Sequence, residues 1–147
     1  MPISGGCRCG AVCYTLALDS LPLTYACHCT DCQTWSGSAF SQQAVVPEEA
    51  LAASGPIAIF ELVGASGRVS RQRMCSVCHT RLFNTNSARP GVLVVRAGTL
   101  DRSNELHVAA HVWTRSKQPW LTLPKDAPAW PEGPPPDQMT KALGLPR

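Results

Sequence analysis

Seven of the eight cysteines in this chain stand in three tight groups: Cys7 and Cys9, then Cys27, Cys29 and Cys32, then Cys75 and Cys78. Only Cys13 stands apart. Disulfide frameworks spread their cysteines so that each bridge closes a long loop. Cysteines one or two residues apart are badly placed to bridge each other and well placed to chelate a single ion. A chain of 147 residues buries about 68–70% of its unfolded surface and needs no disulfide to hold a core. The grouping therefore predicts metal thiolates in a reducing compartment, and a cytoplasmic setting.

The rest of the composition agrees with a globular protein. Hydrophobic residues make up 44% and charged residues 16% of the chain, which excludes disorder throughout. The longest aliphatic run is Val92-Leu93-Val94-Val95, far short of the roughly 20 residues that span a bilayer. The opening Met1-Pro2-Ile3-Ser4-Gly5-Gly6 has neither a basic nor an apolar region, so no secretory signal and no membrane partner are expected. A net charge of +3 with only three lysines argues against general nucleic-acid binding. Composition shifts after Trp120, where seven of the 13 prolines crowd between Pro124 and Pro146. Proline cannot donate to a sheet ladder. Residues 1–123 are thus expected to form one domain and 124–147 a Pro-rich tail, extended over the surface and pinned by Trp130.

Short strand signals dominate. Residues 11–18 alternate, with Val12, Tyr14, Leu16 and Leu18 on one face. Further strands are predicted over 23–27, 39–46, 57–63, 69–75, 81–84, 92–97 and 106–113, with Gly64-Ala65-Ser66-Gly67 as a hairpin loop. Helix is predicted only as single turns near 30–35 and 47–52. The fold class expected is mainly β, built of antiparallel sheets.

Zinc closes a structural site with four protein ligands and keeps a catalytic site open with three. Seven clustered cysteines divide as four plus three. Cys7, Cys9, Cys75 and Cys78 make a complete thiolate set, which leaves Cys27, Cys29 and Cys32 to wrap a second ion from one side. Spacing alone also allows Cys29 and Cys32 to join Cys75 and Cys78. However, 42 residues separate those pairs, against about 15–20 in compact zinc ribbons. A single structural site with unused cysteines is the third reading.

The motif Gly5-Gly6-Cys7-Arg8-Cys9-Gly10-Ala11-Val12 resembles the start of the glutathione-dependent formaldehyde-activating enzyme family, which takes in the centromere protein V group. The segment from Cys27-His28-Cys29-Thr30-Asp31-Cys32 through Phe40 resembles its central motif, and Arg73-Met74-Cys75-Ser76-Val77-Cys78 its second knuckle. Gly98-Thr99-Leu100-Asp101 and His111-Val112-Trp113-Thr114-Arg115-Ser116-Lys117 also follow the pattern, so that the likeness spans about residues 4–121. The resemblance implies an Mss4-like, or β-tent, fold. It implies a structural zinc at Cys7, Cys9, Cys75 and Cys78, and a second zinc at the catalytic set Cys27, Cys29 and Cys32. The implied activity is that of a carbon–sulfur lyase or synthase, acting on glutathione adducts of formaldehyde or a similar small aldehyde. The alternative is a non-catalytic zinc-structured module that binds a protein or chromatin partner.

One departure is His79, where family members often carry glycine; it reads either as a surface residue or as a further ligand. From Arg68 to Arg115 the chain carries eight basic residues, a stretch that would attract an anionic tripeptide if it were not simply a solvated strand face. His28 reads as a proton shuttle or as a side chain pointing away, and Asp31 as the cap of a short turn. An even separation places His107 and His111 on one packed sheet face. Trp35, Trp113 and Trp120 read as core or pocket wall, and Cys13 as a small buried hydrophobe.

Overall fold

The computed structural model describes residues 2–146. Its chain contacts divide into two compact units. One takes the chain through Pro22 and then Val45–Glu105; the other takes Leu23–Ala44 and the chain from Leu106 onward. Among the described residues, no helix is long and apolar enough to cross a membrane.

The first unit opens on β1 (Ile3–Gly6) and β2 (Cys13–Leu16), which pair antiparallel, and β2 pairs in turn with β5 (Leu51–Ser54). The alternation read from residues 11–18 sets the buried face: Val12, Tyr14 and Leu16 are buried, while Cys13 and Thr15 face outward. Cys13 is thus exposed rather than a buried hydrophobe, because its odd position in the alternation decides the matter over its residue type. Its thiol reaches the Gly10 carbonyl at 3.6 Å.

The same unit holds a meander of β6 (Ile57–Val63), β7 (Val69–Cys75), β8 (Arg81–Asn86) and β9 (Val92–Arg96), each antiparallel to the next. Gly64 to Gly67 form the predicted hairpin loop, closed by the Gly64 amide on Arg68 and the Gly67 amide on Gly64. Leu82, Phe83, Leu93 and Val95 are buried, and the Tyr14 and Phe83 rings meet edge to face at 4.9 Å.

In the second unit β3 (Thr24–Cys27) lies between β4 (Ser41–Pro47), antiparallel, and β10 (Val108–Val112), parallel. The parallel pair departs from the purely antiparallel expectation. The last residues of β4, Val45 to Pro47, belong to the first unit. Helix α1 (Thr30–Ser36) follows β3 and ends on Gly37 in the left-handed region, φ 63°. The Pro-rich segment is not extended throughout, since Pro136 opens a helix, α2 (Pro136–Ala142). Proline suits the first helical turn, whose amides have no internal partner. Helix α2 is followed by Leu143, which is buried.

Gly55 links β5 to β6 with φ 115°, and a β-carbon there would run into the Ala11 carbonyl oxygen. Gly55→Ala therefore combines left-handed strain with a backbone clash, and is expected to lower stability by about 2–4 kcal/mol, read by chemical denaturation.

Candidate metal-thiolate site

All eight cysteines are free thiols. Seven of their sulfurs gather as a four and a three, each within 4.8 Å of the others in its set.

Cys7, Cys9, Cys75 and Cys78 form the first set, in the first unit. Cys7 and Cys9 lie in the turn after β1, which Gly10 reverses at φ 82°. The Cys7 amide donates to the Val12 carbonyl, and the Val12 amide returns a bond to Cys7 Sγ at 3.2 Å. Cys75 ends β7, and the amides of Val77 and Cys78 point at its sulfur, at 3.4 and 3.5 Å. The Arg8 amide donates to Thr80 Oγ1 and so ties the two turns together. Cys7 and Cys9 sulfurs lie 3.5 Å apart, Cys9 and Cys75 3.8 Å. Tetrahedral ligation with a metal–sulfur distance of about 2.3 Å sets sulfurs about 3.8 Å apart, so this donor set fits one such ion. The Thr80 hydroxyl and the amides of Thr80 and Cys9 bring the Cys78 thiol down to about 5. The Val12 amide lowers Cys7. The Ala11 amide pulls Cys9 down, but the Cys7, Cys78 and Cys75 sulfurs together with desolvation push it up to about 11.

His79 follows at φ 62° and is exposed, outside the sulfur cluster. Its amide donates to the Cys75 carbonyl and closes the turn. The left-handed backbone explains why glycine suits this position.

Cys27, Cys29 and Cys32 form the second set, in the second unit. Cys27 is the last residue of β3, and Cys29 is the N-cap of α1. Its sulfur accepts the Cys32 amide at 3.3 Å, as a Ser or Asp oxygen would. Asp31 stands exposed in the first turn and is not the cap. Cys27 and Cys32 are buried, while Cys29 is half-exposed, so the set opens to solvent on the Cys29 side. The Cys27 and Cys32 sulfurs bring the Cys29 thiol down to about 2, and Cys29 in turn drives Cys27 far up.

Three glutamines support this set, and no periodicity or spacing in the sequence marks them. Gln43 Nε2 approaches Cys32 Sγ at 3.5 Å, and the Tyr25 hydroxyl donates to Gln43 Oε1 at 2.6 Å, which turns the amide toward the sulfur. Gln33 Nε2 donates to the carbonyls of His28 and Ser116, both at 2.8 Å, and its Oε1 accepts from Gln118 at 2.7 Å. Gln33, Gln118 and Trp120 also line a shallow cavity of about 450 Å³.

His28 is fully buried, and its Nε2 lies 3.0 Å from Nδ1 of the buried His111. Burial lowers both rings, with His28 held at about 4, so the pair is neutral near pH 7. His107 is exposed rather than packed beside His111. The register shift between Val108 and Ala110 breaks the simple parity expected of that strand. Trp35, Trp113 and Trp120 are not core: their exposures are 40%, 37% and 71%. Four of the arginines in the basic stretch are engaged locally, in the ion pairs Arg71–Glu61, Arg73–Glu48, Arg102–Glu105 and Arg115–Glu132.

With fold and sulfur geometry in place, the chain belongs to the glutathione-dependent formaldehyde-activating enzyme family, whose model matches residues 2–116. A search of the curated proteins finds no match. Among solved structures the chain is similar to a Rhodobacter sphaeroides protein from a structural genomics programme, at 17% identity with a TM-score of 0.55. That match covers 71% of this chain and 97% of the other, and it shows the fold. The mainly β, Mss4-like architecture expected from the sequence is the one observed.

Replacing His79 by glycine is expected to raise stability by about 1 kcal/mol, because the left-handed strain of a β-carbon is removed. A thermal melt of His79→Gly against the unaltered chain checks this, and a lower melting temperature would contradict it.

Proposed function

We propose that the protein is a zinc-dependent carbon–sulfur lyase or synthase that forms and cleaves the glutathione adduct of formaldehyde or a similar small aldehyde. The observation that carries this reading is the second sulfur set, three cysteines gathered within 4.8 Å with two buried and one half-exposed. Family membership supplies the substrate class.

In this reading Cys7, Cys9, Cys75 and Cys78 hold a structural ion, and Cys27, Cys29 and Cys32 hold the catalytic one. A bound zinc lowers the proton affinity of a thiol and leaves a fourth position for substrate. In the forward direction the glutathione sulfur attacks the carbonyl carbon and a carbon–sulfur bond forms. The carbonyl π pair moves to oxygen, which takes up the proton that the thiol gives away. The reverse step returns that proton to sulfur as the bond breaks. Cys29, the half-exposed member, marks the side from which substrate arrives. Cys27 and Cys32 are shielded from solvent, and Gln43 donates to Cys32, which moderates the charge that three thiolates accumulate. The neutral His28–His111 pair adds no further charge. Eight unbridged cysteines suit a reducing compartment, and we place the protein in the cytoplasm on that ground.

The two sulfur sets predict different losses. Cys75→Ser should release one equivalent of metal and much of the fold, since structural zinc affinities of about 10–16 kcal/mol are folding free energy. Metal analysis and a thermal melt read this. A variant that keeps both metal and full stability would overturn the structural role.

Cys29→Ser is the test of function. Its fold should persist, while adduct formation above the spontaneous thiol–aldehyde reaction should fall about 100-fold or more. A Cys29→Ser chain that turns over normally would place the chemistry elsewhere. One that melts far below the unaltered chain would make the second set structural and favour a binding module.

A further inference from the structure

The family match ends at residue 116, yet the segment beyond it is built into the second unit. β10 pairs with β3 on one side only. On the other side the chain returns, and Ala129 forms a parallel bridge with His111. The His111 amide donates to the Pro128 carbonyl at 2.9 Å, and the Trp130 amide donates to the His111 carbonyl at 3.0 Å. Both backbone groups of His111 are thus held by the C-terminal segment.

The contact continues past the bridge. The amides of Trp113, Thr114 and Arg115 donate to the carbonyls of Glu132, Trp130 and Pro131, and Arg115 pairs with Glu132 at 2.6 Å. Trp113 adopts φ 58°, a left-handed conformation rare for a bulky side chain. Such a conformation persists where its surroundings over-determine it, and these bonds supply that restraint. Farther along, Trp130 Nε1 donates to Gln138 Oε1 on α2.

His111 in turn reaches the thiolate set. Its Nδ1 meets His28 Nε2 at 3.0 Å. The His28 amide donates to the Val112 carbonyl, and the His28 carbonyl accepts from Gln33. Ring, amide and carbonyl of His28 are each held, and His28 stands between Cys27 and Cys29. Outer partners that orient ligands typically change metal affinity by about 10–100-fold when removed.

We propose that Pro128–Trp130 is a strap on β10, and that His111, gripped by it, is a positioning residue that sets Cys27, Cys29 and Cys32 for metal and thiol binding. The proposal rests on the reading of those cysteines as a metal set. It gives a segment outside the family's matched region a direct part in the geometry of the site.

The test uses the full chain and Co²⁺, whose thiolate charge-transfer absorption reports each site. Alkylation mapped by mass spectrometry assigns the protected cysteines, with the Cys7, Cys9, Cys75 and Cys78 set as internal control. Trp130→Pro removes the amide that holds His111, and Trp130→Ala keeps the amide but loses the ring. Trp130→Pro should weaken Co²⁺ at Cys27, Cys29 and Cys32 at least about tenfold, with the control set unchanged, and Trp130→Ala should weaken it less. If Trp130→Pro does not fold, the side-chain pair decides: His111→Ala should weaken the same site, and His111→Asn, whose amide can meet His28 Nε2, should restore it. Unchanged Co²⁺ affinity in both Trp130→Pro and His111→Ala, or failure of His111→Asn to restore it, overturns the strap. Should the unaltered chain take up no Co²⁺ at these three cysteines, the proposed function falls and the strap with it.

Discussion

The structure depends on holding sulfur against sulfur. Thiolates brought this close repel one another, and the repulsion grows as water is excluded. The chain offsets it with local donors. Amides of Val12, Val77, Cys78 and Cys32 each point at a cysteine sulfur, and Gln43 adds a side-chain donor. Those amides sit where strands end: after β1, after β7 and after β3. Turn conformation is therefore set by the sulfur sets as much as by the sheets, and Gly10 and His79 take left-handed backbone to permit it.

The two sulfur sets differ in size and in exposure. In the first, Cys75 is buried at the end of β7, Cys7 and Cys78 are half-buried and Cys9 is exposed. In the second, Cys27 and Cys32 are buried and Cys29 is half-exposed. The Cys29 sulfur accepts the Cys32 amide, and the Cys32 sulfur takes the Gln43 side-chain amide. The nearest element of rigidity is α1, whose first turn is capped by the site's own thiolate. The arginine-rich stretch presents less uncompensated charge than its count of basic residues implies. Four of its members are tied into exposed or half-exposed ion pairs, each worth little to stability but enough to offset the field locally.

Much of the fold is legible in residue patterns. β6 and β7 begin and end where β-branched residues and the Gly64–Gly67 loop place them. β1 and β5 are not, since Ile3-Ser4-Gly5-Gly6 and Leu51-Ala52-Ala53-Ser54 lack β-branched runs. They form strands because β2 offers them edges, and glycine and alanine fit where larger residues would collide, as at Gly5 beside Tyr14 and the Thr99 carbonyl. Helix α2 escapes a reading of the Pro-rich segment because proline counts against helix everywhere except at its first turn. His107 and His111 part company because a register shift in β10 is invisible to a period-two rule.

What is local can be read from residue order. Cysteines with one or two residues between them must present their sulfurs on one short turn, and alternation must bury Val12, Tyr14 and Leu16 together. Chelate spacing and strand parity act over a few residues, so composition and order suffice. Tertiary structure alone decided the remote partners. His28 meets His111 across 83 residues of chain, and Gln43 reaches Cys32 from a neighbouring strand. The C-terminal segment closes on β10 through main-chain bonds. Such contacts follow from sheet register and from which edge stays unpaired. Both are settled by the whole fold closing at once, and no single stretch of sequence carries them.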